Sequence, residues 1–462
     1  MWFETEDKAF RFHLGGRTQI DYVGVHAPQK VRADQATGIN SGGTGAGGIG
    51  KYDDAVNFRR ARLAAEGTFY EVFDFLCEYD FINTTRNVPG GTTPALAGPL
   101  FASNADRANV FNTPVPTDLW LQWTHIPLIG TVRVGNQKPW NSFEHMTSSR
   151  FLDFMERSLA FDAFFENGNN GFQPGISVFN QFLDQRLSFA AGVYAPNKRD
   201  IFGWNVGDGE MQVTTRIWGT PIYENAGRFM LHMGVSYTHS TADDGTIRYR
   251  ARSQIRNGPA ALHNIIAIIQ ANASDENILA PEIAFNYGPF SMSAEYYGTW
   301  AYGKPGQAIT NAAGQNVSAA TPRGGYGQLF YQGGYVSAGY FLTGEHRAYN
   351  RGNGGWDRQP VNEYAFMVDG EEGTLLGRGA WQVVGRYSYL DLEDKNINGG
   401  IINEGTLGLN WFLNANSKIQ VNYDLAYRDA TRYNANGTVP RGGLTARDGL
   451  IQGFGTRLAF DF

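Results

Sequence analysis

The sequence predicts an all-β fold, a transmembrane antiparallel β-barrel of about sixteen strands, as a single domain over residues 1–462. Two observations predict it. From residue 10 onward, apolar and polar side chains alternate along one segment after another. The composition agrees, because 58 glycines, 14% aromatic residues and 18% charged residues, with a mean hydropathy of −0.35, fit an aromatic outer surface around a polar lumen.

The alternation is clearest near the C-terminal end. Between residues 417 and 428, every second residue from Ile419 to Tyr427 is apolar or aromatic, and the residues between them are mostly polar. In a strand these two sets face opposite sides. A soluble sandwich also alternates, but its outer face would be charged and its inner face aliphatic. Aromatic rings on one face and amide, hydroxyl and charged groups on the other favour a closed sheet in a membrane.

Other classes of protein are disfavoured. No run of about 18 apolar residues occurs, which excludes a helical membrane protein. The net charge of −6 argues against a nucleic-acid partner. The first residues, Met1–Asp7, lack a signal-peptide pattern, so an export signal is expected to have been removed or to precede this numbering. Scattered histidines, a lone Cys77 and a glycine run without Lys-Ser/Thr predict no enzyme, metal or cofactor.

Clusters of Gly, Asn, Asp and Pro mark the connections between strands. Long connections are predicted at 33–51, 86–116, Thr241–Thr246, 303–325 and 347–379, with a further break after Tyr433. Short ones, such as Gly227 and Asn414-Ala415-Asn416, are expected at the opposite, tight-turn end. Alternating long and short connections indicate an up-and-down barrel with elaborate outer loops.

One region, residues 142–171, breaks the two-residue period; we call it the insert. Several of its apolar residues follow helical spacing: Phe151, Phe154, Met155, Leu159 and Phe161. Thr147 or Ser148 is the expected N-cap. A partly helical insert at this position is predicted to fold inward as a constriction loop that narrows the lumen. The alternative is a loop lying on the outer rim.

The sharpest local feature is a ladder of four arginines, Arg248, Arg250, Arg252 and Arg256. At spacings of two and four residues they fall on one face of a strand, about 7 Å apart along it. Facing lipid they would be very costly, so they are predicted to face the lumen or the aqueous mouth. Four like charges in a column indicate a path for anions, because guanidinium groups offer forked donors to phosphate or carboxylate oxygens. The alternative is a solvated strand end neutralised by Asp243, Asp244 or neighbouring carboxylates.

Further basic residues are predicted to line the pore: Arg59, Arg60, Arg62, Arg133, Lys138, Arg150 and Arg157. Arg60 and Arg62 share a strand face with Glu66, so two of the first three arginines should point inward. Arg157 has Glu156 beside it. The alternative to a selectivity role is a wall in which basic and acidic side chains face each other and create a transverse field.

These residues resemble those of the phosphate-selective porins of the O and P type, over most of the chain. The similar stretches are Asn57–Leu63, Glu78–Phe81, Val132–Pro139, Thr147–Arg150, Met155–Leu159, Phe341–Arg347 and the terminal Phe462. The resemblance implies a sixteen-stranded, homotrimeric barrel in the lipid of the bacterial outer membrane, which in some members conducts phosphate or polyphosphate along an arginine ladder. It implies that Arg248–Arg256 form that ladder and that Arg59-Arg60 lie further along the same route. It also implies that Phe462 is read by the outer-membrane assembly machinery.

The chain departs from the family pattern in the insert. The best-studied type gathers lysines there, whereas residues 141–145 contain none and only Lys138 is nearby. Glu144, Asp153 and Glu156 would dilute the positive field. We therefore predict passive, anion-preferring diffusion of small solutes, with phosphate or polyphosphate as candidates. The alternatives are a structural barrel with loops for lattice or partner contacts, a non-selective porin, and a barrel enzyme, for which the sequence offers no triad.

Overall fold

The structure is a computed structural model. It describes residues 2–32, 49, 54–82, 114–166, 171–196, 211–241, 246–256, 265–303, 309–310, 316–318, 328–369, 373–394, 397–429 and 448–462. The predicted connections at 33–51, 86–116 and 303–325 fall mainly outside the described residues. Asp243, Asp244 and the break after Tyr433 fall outside them entirely.

Within the described part of the chain, sixteen antiparallel strands form one closed sheet, which confirms the predicted barrel. Their bounds are β1 Phe10–His26, β2 Ala55–Phe69, β3 Phe73–Asp80, β4 Val115–Ile126, β5 Gly130–Gln137, β6 Gln173–Phe182, β7 Leu187–Tyr194, β8 Gln212–Glu224, β9 Phe229–Thr241, β10 Asp275–Tyr287, β11 Phe290–Tyr302, β12 Gln328–Phe341, β13 Ala380–Asp394, β14 Ile397–Asn414, β15 Ser417–Asp429 and β16 Gly449–Asp461. Each strand pairs with the next along the chain. The pairing of β1 with β16, beginning at Arg17 opposite Asp461, closes the barrel.

The barrel wall is apolar outside and polar inside. On β15, Asp424 is 2% exposed while its neighbour Tyr423 is 41% exposed, and the same contrast recurs along β13, β14 and β16. This distribution suits a barrel whose outer surface contacts hydrocarbon and whose lumen is polar. On the outside, the rings of Trp381 and Trp411 stack with centroids 5.0 Å apart. No helix among the described residues is long and apolar enough to cross a membrane.

The two ends of the barrel differ in their connections. At one end, the turn end, short segments join six pairs of strands that follow each other in the chain. These segments are 70–72, 127–129, 183–186, 225–228, 288–289 and 415–416. The connection between β12 and β13, residues 342–379, also lies at the turn end; we call it the mouth segment. The prediction that placed 347–379 with the long loops of the opposite end is therefore wrong. A glycine-rich sequence shows that a connection is long but carries no mark of the end at which it lies.

Short elements complete the described chain. They are the strand Trp2–Glu4, which pairs with β1, the helix α1 Gln29–Arg32, and the two-stranded pairs Thr246–Arg252 with Ile265–Asn272, Ile309–Thr310 with Asn316–Ser318, Tyr349–Asn350 with Gly355–Trp356, and Phe366–Asp369 with Gly373–Leu376. The last two pairs belong to the mouth segment. The pair beginning at Thr246 follows β9 and precedes β10.

The insert is partly helical, as expected. Leu159 and Phe161 lie in a helix, whereas Phe151, Phe154 and Met155 do not. The helices of the insert are α2, Phe143–Met146, and α3, Leu159–Phe164. The side chains of Ser142 and Ser158 accept from the amide groups of His145 and Phe161, so these serines are the N-caps. The expected caps were wrong, since Thr147 ends α2 instead of starting a helix. Residues between the helices are irregular because their backbone and side-chain groups bond to the barrel wall.

Candidate functional site

A β-bulge in β2 places adjacent arginines on one side of the wall. Gln19 on β1 pairs with Arg60 but Ile20 pairs with Phe58, so Arg59 is the extra residue. A bulge of this kind turns two successive side chains to the same face. Arg59, Arg60 and Arg62 are therefore all buried on the inward face, with Phe58 half exposed on the other. The prediction that two of the three arginines point inward is therefore wrong, since all three do. Strict alternation of side chains holds only for a strand without a bulge.

The predicted arginine ladder lies on the short pair that follows β9, apart from the barrel sheet. The strand ends at Arg252, and Arg256 lies beyond it. The prediction that all four arginines share one strand is therefore wrong. Arg250, Arg252 and Arg256 are buried, whereas Arg248 is half-buried. Three carboxyl groups of the insert, those of Glu156, Asp162 and Glu166, lie within ion-pair distance of these three buried arginines.

Six arginines meet the insert in one group, which we call the arginine cluster: Arg59, Arg60, Arg250, Arg252, Arg256 and Arg457. Within it, Asp162 Oδ1 lies 2.6 Å from Arg252 Nη2, 3.3 Å from Arg256 Nη2 and 3.5 Å from Arg250 Nη1. Glu166 Oε1 lies 3.0 Å from Arg252 Nη2 and 3.3 Å from Arg256 Nη1.

The other half of the cluster surrounds Glu156. Arg59 donates to both of its carboxylate oxygens, through Nε at 2.7 Å and Nη2 at 2.9 Å. Arg256 Nη1 lies 3.3 Å from Glu156 Oε2 and so joins the two halves. Arg457, on β16, lies 3.0 Å from Oε1 and also forms a two-point pair with Asp21, both bonds 2.7 Å long. Such a site offers many converging forked donors to carboxylate or phosphate oxygens.

Comparison with known proteins identifies the family of this barrel. The family described as phosphate-selective porin O and P matches residues 42–447. The chain belongs to this family. It is 27% identical to Porin O of Pseudomonas aeruginosa, over 99% of this chain and 90% of the relative. It is 25% identical to an uncharacterized protein of Caulobacter vibrioides, over 100% of this chain and 75% of the relative.

Solved structures support the same fold. An anion-selective porin from Comamonas acidovorans superimposes with a TM-score of 0.50 at 12% identity, over 98% of this chain and 100% of that one. OmpF of Salmonella typhi, in complex with daunomycin, gives a TM-score of 0.51 at 11% identity, with all of both chains covered. Together with the family match, these likenesses identify a porin of the bacterial outer membrane.

In this porin, Arg62 belongs to a separate group of charges. Its Nη1 lies 2.9 Å from Glu78 Oε1 and its Nε lies 2.8 Å from Asp80 Oδ2. Arg17 forms an ion pair with the other oxygen of Glu78. Arg62 is thus paired with carboxylates of the neighbouring strand β3, and Glu66, its sequence neighbour on the same face, bonds to His13 instead.

The other predicted basic residues are not brought together. Arg133 donates to Gln122 and lies over the ring of Trp120, with its guanidinium carbon 4.0 Å from the centroid. Lys138 donates to the carbonyl of His145 at 2.9 Å.

Two arginines of the insert also lie outside the arginine cluster. Arg150 is near the turn end, 3.8 Å from Asp461, beside a cavity of about 490 Å³. Arg157 donates to the carbonyls of Glu144 and Thr147 and so braces the insert internally. These basic groups therefore lie outside the arginine cluster, each with its own local partners.

Two buried arginines that contact the insert were missed by sequence reasoning. Arg457 completes the Glu156 site, and Arg386 on β13 lies 3.1 Å from Glu144 Oε1. Both occupy the polar side of a clearly alternating strand. Their parity alone could have assigned them to the lumen, but each stands alone on its strand and so gave no local charge pattern.

The mouth segment crosses the turn end of the barrel. Arg351 donates to the carbonyl of Asp184, in the turn between β6 and β7. Arg358 donates to the carbonyl of Ala415, in the turn between β14 and β15, at 3.0 Å. These turns lie half of the barrel's circumference apart. Between them, Trp356 donates its backbone N–H to Thr147 of the insert at 3.0 Å, so the two segments touch.

Charge and burial set the protonation of two groups of the insert. Burial lowers the pKa of His145 well below its ordinary value, and Lys138 and Arg157 add to the shift. Burial alone would raise the pKa of Glu156, but Arg59, Arg256 and the other cluster arginines hold that pKa well below its usual range. At neutral pH the insert therefore carries a neutral imidazole and a charged carboxylate.

Proposed function

We propose that this porin passes small anions by passive diffusion along the arginine cluster, with oxyanions such as phosphate as its preferred solutes. The observation that carries this proposal is the charge balance at the site. Six buried guanidinium groups face four carboxylates, those of Asp21, Glu156, Asp162 and Glu166, among the residues the structure describes. A surplus of fixed positive charge in a polar lumen enclosed by low-dielectric walls attracts anions and repels cations.

The insert is the proposed filter. Its contacts support this role because they reach inward-facing side chains on several sides of the wall. Leu152 accepts from Lys418 on β15, Glu144 pairs with Arg386 on β13, and the backbone amide of Phe143 donates to Glu295 on β11 at 2.8 Å. A segment bonded to these strands and to β2 narrows the passage between them.

Bilayer recordings test the anion preference. We expect the purified porin to show an anion-selective reversal potential in a KCl gradient. Replacing Arg248 and Arg250 with Gln should reduce that selectivity, because among the described residues Arg248 has no ion pair and Arg250 has one, with Asp162 at 3.5 Å. Arg186→Gln is the control for charge removal away from the ladder, since it removes one positive charge from an exposed turn. A cation-selective wild type contradicts the proposal. So does a double variant whose ion selectivity equals that of the wild type.

Assembly and solute identity extend this proposal. Homotrimeric assembly stays a prediction from the family resemblance, and light scattering of the detergent-solubilised porin measures it. Phosphate block of the chloride current measures whether oxyanions are preferred over chloride. A well-folded barrel without conductance would favour the structural role instead.

A further inference from the structure

Glu156 occupies the point on which four guanidinium groups converge. Besides the two-point bond from Arg59, its carboxylate has Arg457 at 3.0 Å, Arg256 at 3.3 Å and Arg60 at 3.9 Å. The carboxylate is 3% exposed. Glu156 belongs to the irregular part of the insert between the two helices. Three of its four partners belong to strands of the barrel wall, β2 and β16.

The geometry around Glu156 is that of an oxyanion site. Arg59 presents its Nε and Nη2 donors side by side, the arrangement that binds two oxygens of a carboxylate or a phosphate equally well. At Glu156 the wall contributes three of the four donors and the insert contributes the acceptor. Asp162 and Glu166 of the insert likewise accept from ladder arginines, which lie on the short pair after β9 and just beyond it.

The wall alone does not neutralise these donors. If the Glu156 carboxylate moved away, Arg457 would retain Asp21, and Arg256 would retain Asp162 and Glu166. Arg60 would retain only the amide oxygen of Gln19, at 2.7 Å. Among the described residues, no carboxylate other than Glu156 lies within ion-pair distance of Arg59 or Arg60.

We propose that Glu156 is a built-in counter-anion that each permeating anion must displace from this site, a role that rests on the proposed anion passage. A tethered carboxylate competes at a high effective concentration, so it weakens the binding of every solute anion. Weak binding is what conduction requires, because an anion held by four unopposed arginines would enter readily and leave slowly. Glu156 closes the site behind each departing anion.

Glu156→Gln is the direct test, because the amide keeps the size of the side chain and removes its charge. Single-channel chloride conductance is measured as a function of KCl concentration, and phosphate block of that current is measured in the same membranes. We expect half-saturation by chloride and half-block by phosphate to occur at concentrations lower by a common factor of about ten, corresponding to about 1.4 kcal/mol. The maximal chloride current should fall, because release becomes slower.

Glu66→Gln is the control, because Glu66 carries the same charge on β2 but bonds to His13, outside the arginine cluster and the insert. It should leave both concentrations within twofold of the wild type. An unchanged Glu156→Gln channel overturns the proposal. So does a much larger gain for phosphate than for chloride, since a carboxylate that stayed in place and merely repelled anions would oppose the dianion more. A cation-selective wild type would instead contradict the proposed function.

A charge-balanced variant covers the case in which Glu156→Gln does not fold. Arg59→Gln is compared with Arg59→Gln/Glu156→Gln, which removes both partners of the buried pair. We expect the double variant to be half-saturated at a lower chloride concentration than Arg59→Gln, because the competitor is gone and three arginines remain. Equal values for the two variants would overturn the proposal.

Discussion

The insert and the mouth segment both contact inward-facing side chains of the barrel wall. They differ in the groups that they contribute to ion pairs and hydrogen bonds with the wall. The insert supplies anions, as in the pairs that Glu144 and Glu156 form with arginines of the wall. The mouth segment supplies cations and backbone carbonyls: Arg358 pairs with Asp461, and the carbonyl of Gly354 accepts from Arg216 at 2.7 Å.

This difference separates two tasks. Under the proposed displacement of Glu156, a solute anion competes with carboxylates of the insert, so the contacts of the insert should depend on which anions are present and on acidity. A backbone carbonyl neither titrates nor exchanges with a solute. The mouth segment should therefore keep its position while the insert exchanges with anions.

The largest expected effect comes from the anchor of the mouth segment. Arg216 on β8 donates to the carbonyls of Asn353 and Gly354 and pairs with Glu282, which is fully buried. Arg216→Met leaves that carboxylate without its guanidinium, at a cost of about 3–5 kcal/mol. Urea unfolding in lipid vesicles measures the loss, with Arg186→Gln as the control at an exposed turn. A loss below about 1 kcal/mol would show that the mouth segment is held by other contacts.

A smaller effect is expected at Gly354, where the mouth segment requires glycine. Its φ is +64°, and a Cβ there would lie 2.5 Å from Cδ1 of Trp218. Gly354→Ala should cost about 2 kcal/mol, through the left-handed backbone and the close approach to the wall. Gly405→Ala is the control, because a Cβ at Gly405 meets nothing within 4 Å. The two variants are compared by the same urea titration, and equal losses would contradict the tight fit.

The insert, unlike the mouth segment, is expected to respond to pH through His145. Because burial lowers its pKa, the folded state keeps the imidazole neutral while the unfolded chain takes up a proton below about pH 6.5. Stability should therefore decline as the pH falls below 6.5, by at most about 1.4 kcal/mol per pH unit. His145→Gln should reduce that slope, and His125→Gln, at the exposed end of β4, should leave it unchanged. Unfolding midpoints at pH 7.5, 6.0 and 5.0 measure both.

The carboxylate of Glu156 should lose its contribution in a lower pH range. Its folded-state pKa is depressed, so its contribution is complete above the unfolded value of about 4.3 and is lost only as the pH falls further. The difference between the wild type and His145→Gln from pH 6.5 to 5 can therefore be assigned to the His145 imidazole and separated from the acid titration of the cluster.

The smallest effect on stability is expected at Arg248. This arginine is half-buried and has no ion pair among the residues described, so Arg248→Gln should change the free energy of unfolding by less than about 0.5 kcal/mol. The reversal potential of the Arg248→Gln channel in a KCl gradient should nevertheless shift toward zero. This result would separate charges that set ion selectivity from charges that stabilise the fold. A loss of stability as large as that of Arg216→Met would place Arg248 among the structural arginines.

The wall of the barrel could be predicted from the sequence because a strand repeats every two residues, and that period is visible at Tyr423 and Asp424 without any knowledge of neighbours. The partners of the arginines could not. Glu156 is adjacent to Arg157 in sequence but binds Arg59 and Arg457, which lie about a hundred and about three hundred residues away. Loop composition likewise gave the length of the mouth segment but not its end of the barrel.

The bulge at Arg59 means that this wall strand gains or loses a charge by the insertion or deletion of one codon. A regular strand spanning residues 59–62 would turn two of the arginines toward the lumen, and the extra residue makes it three. Deleting Arg59 would restore an even pleat and leave Phe58 outward and Arg60 inward as they are. The charge of the lumen can therefore change by a whole unit between relatives without any substitution on the lipid-facing surface.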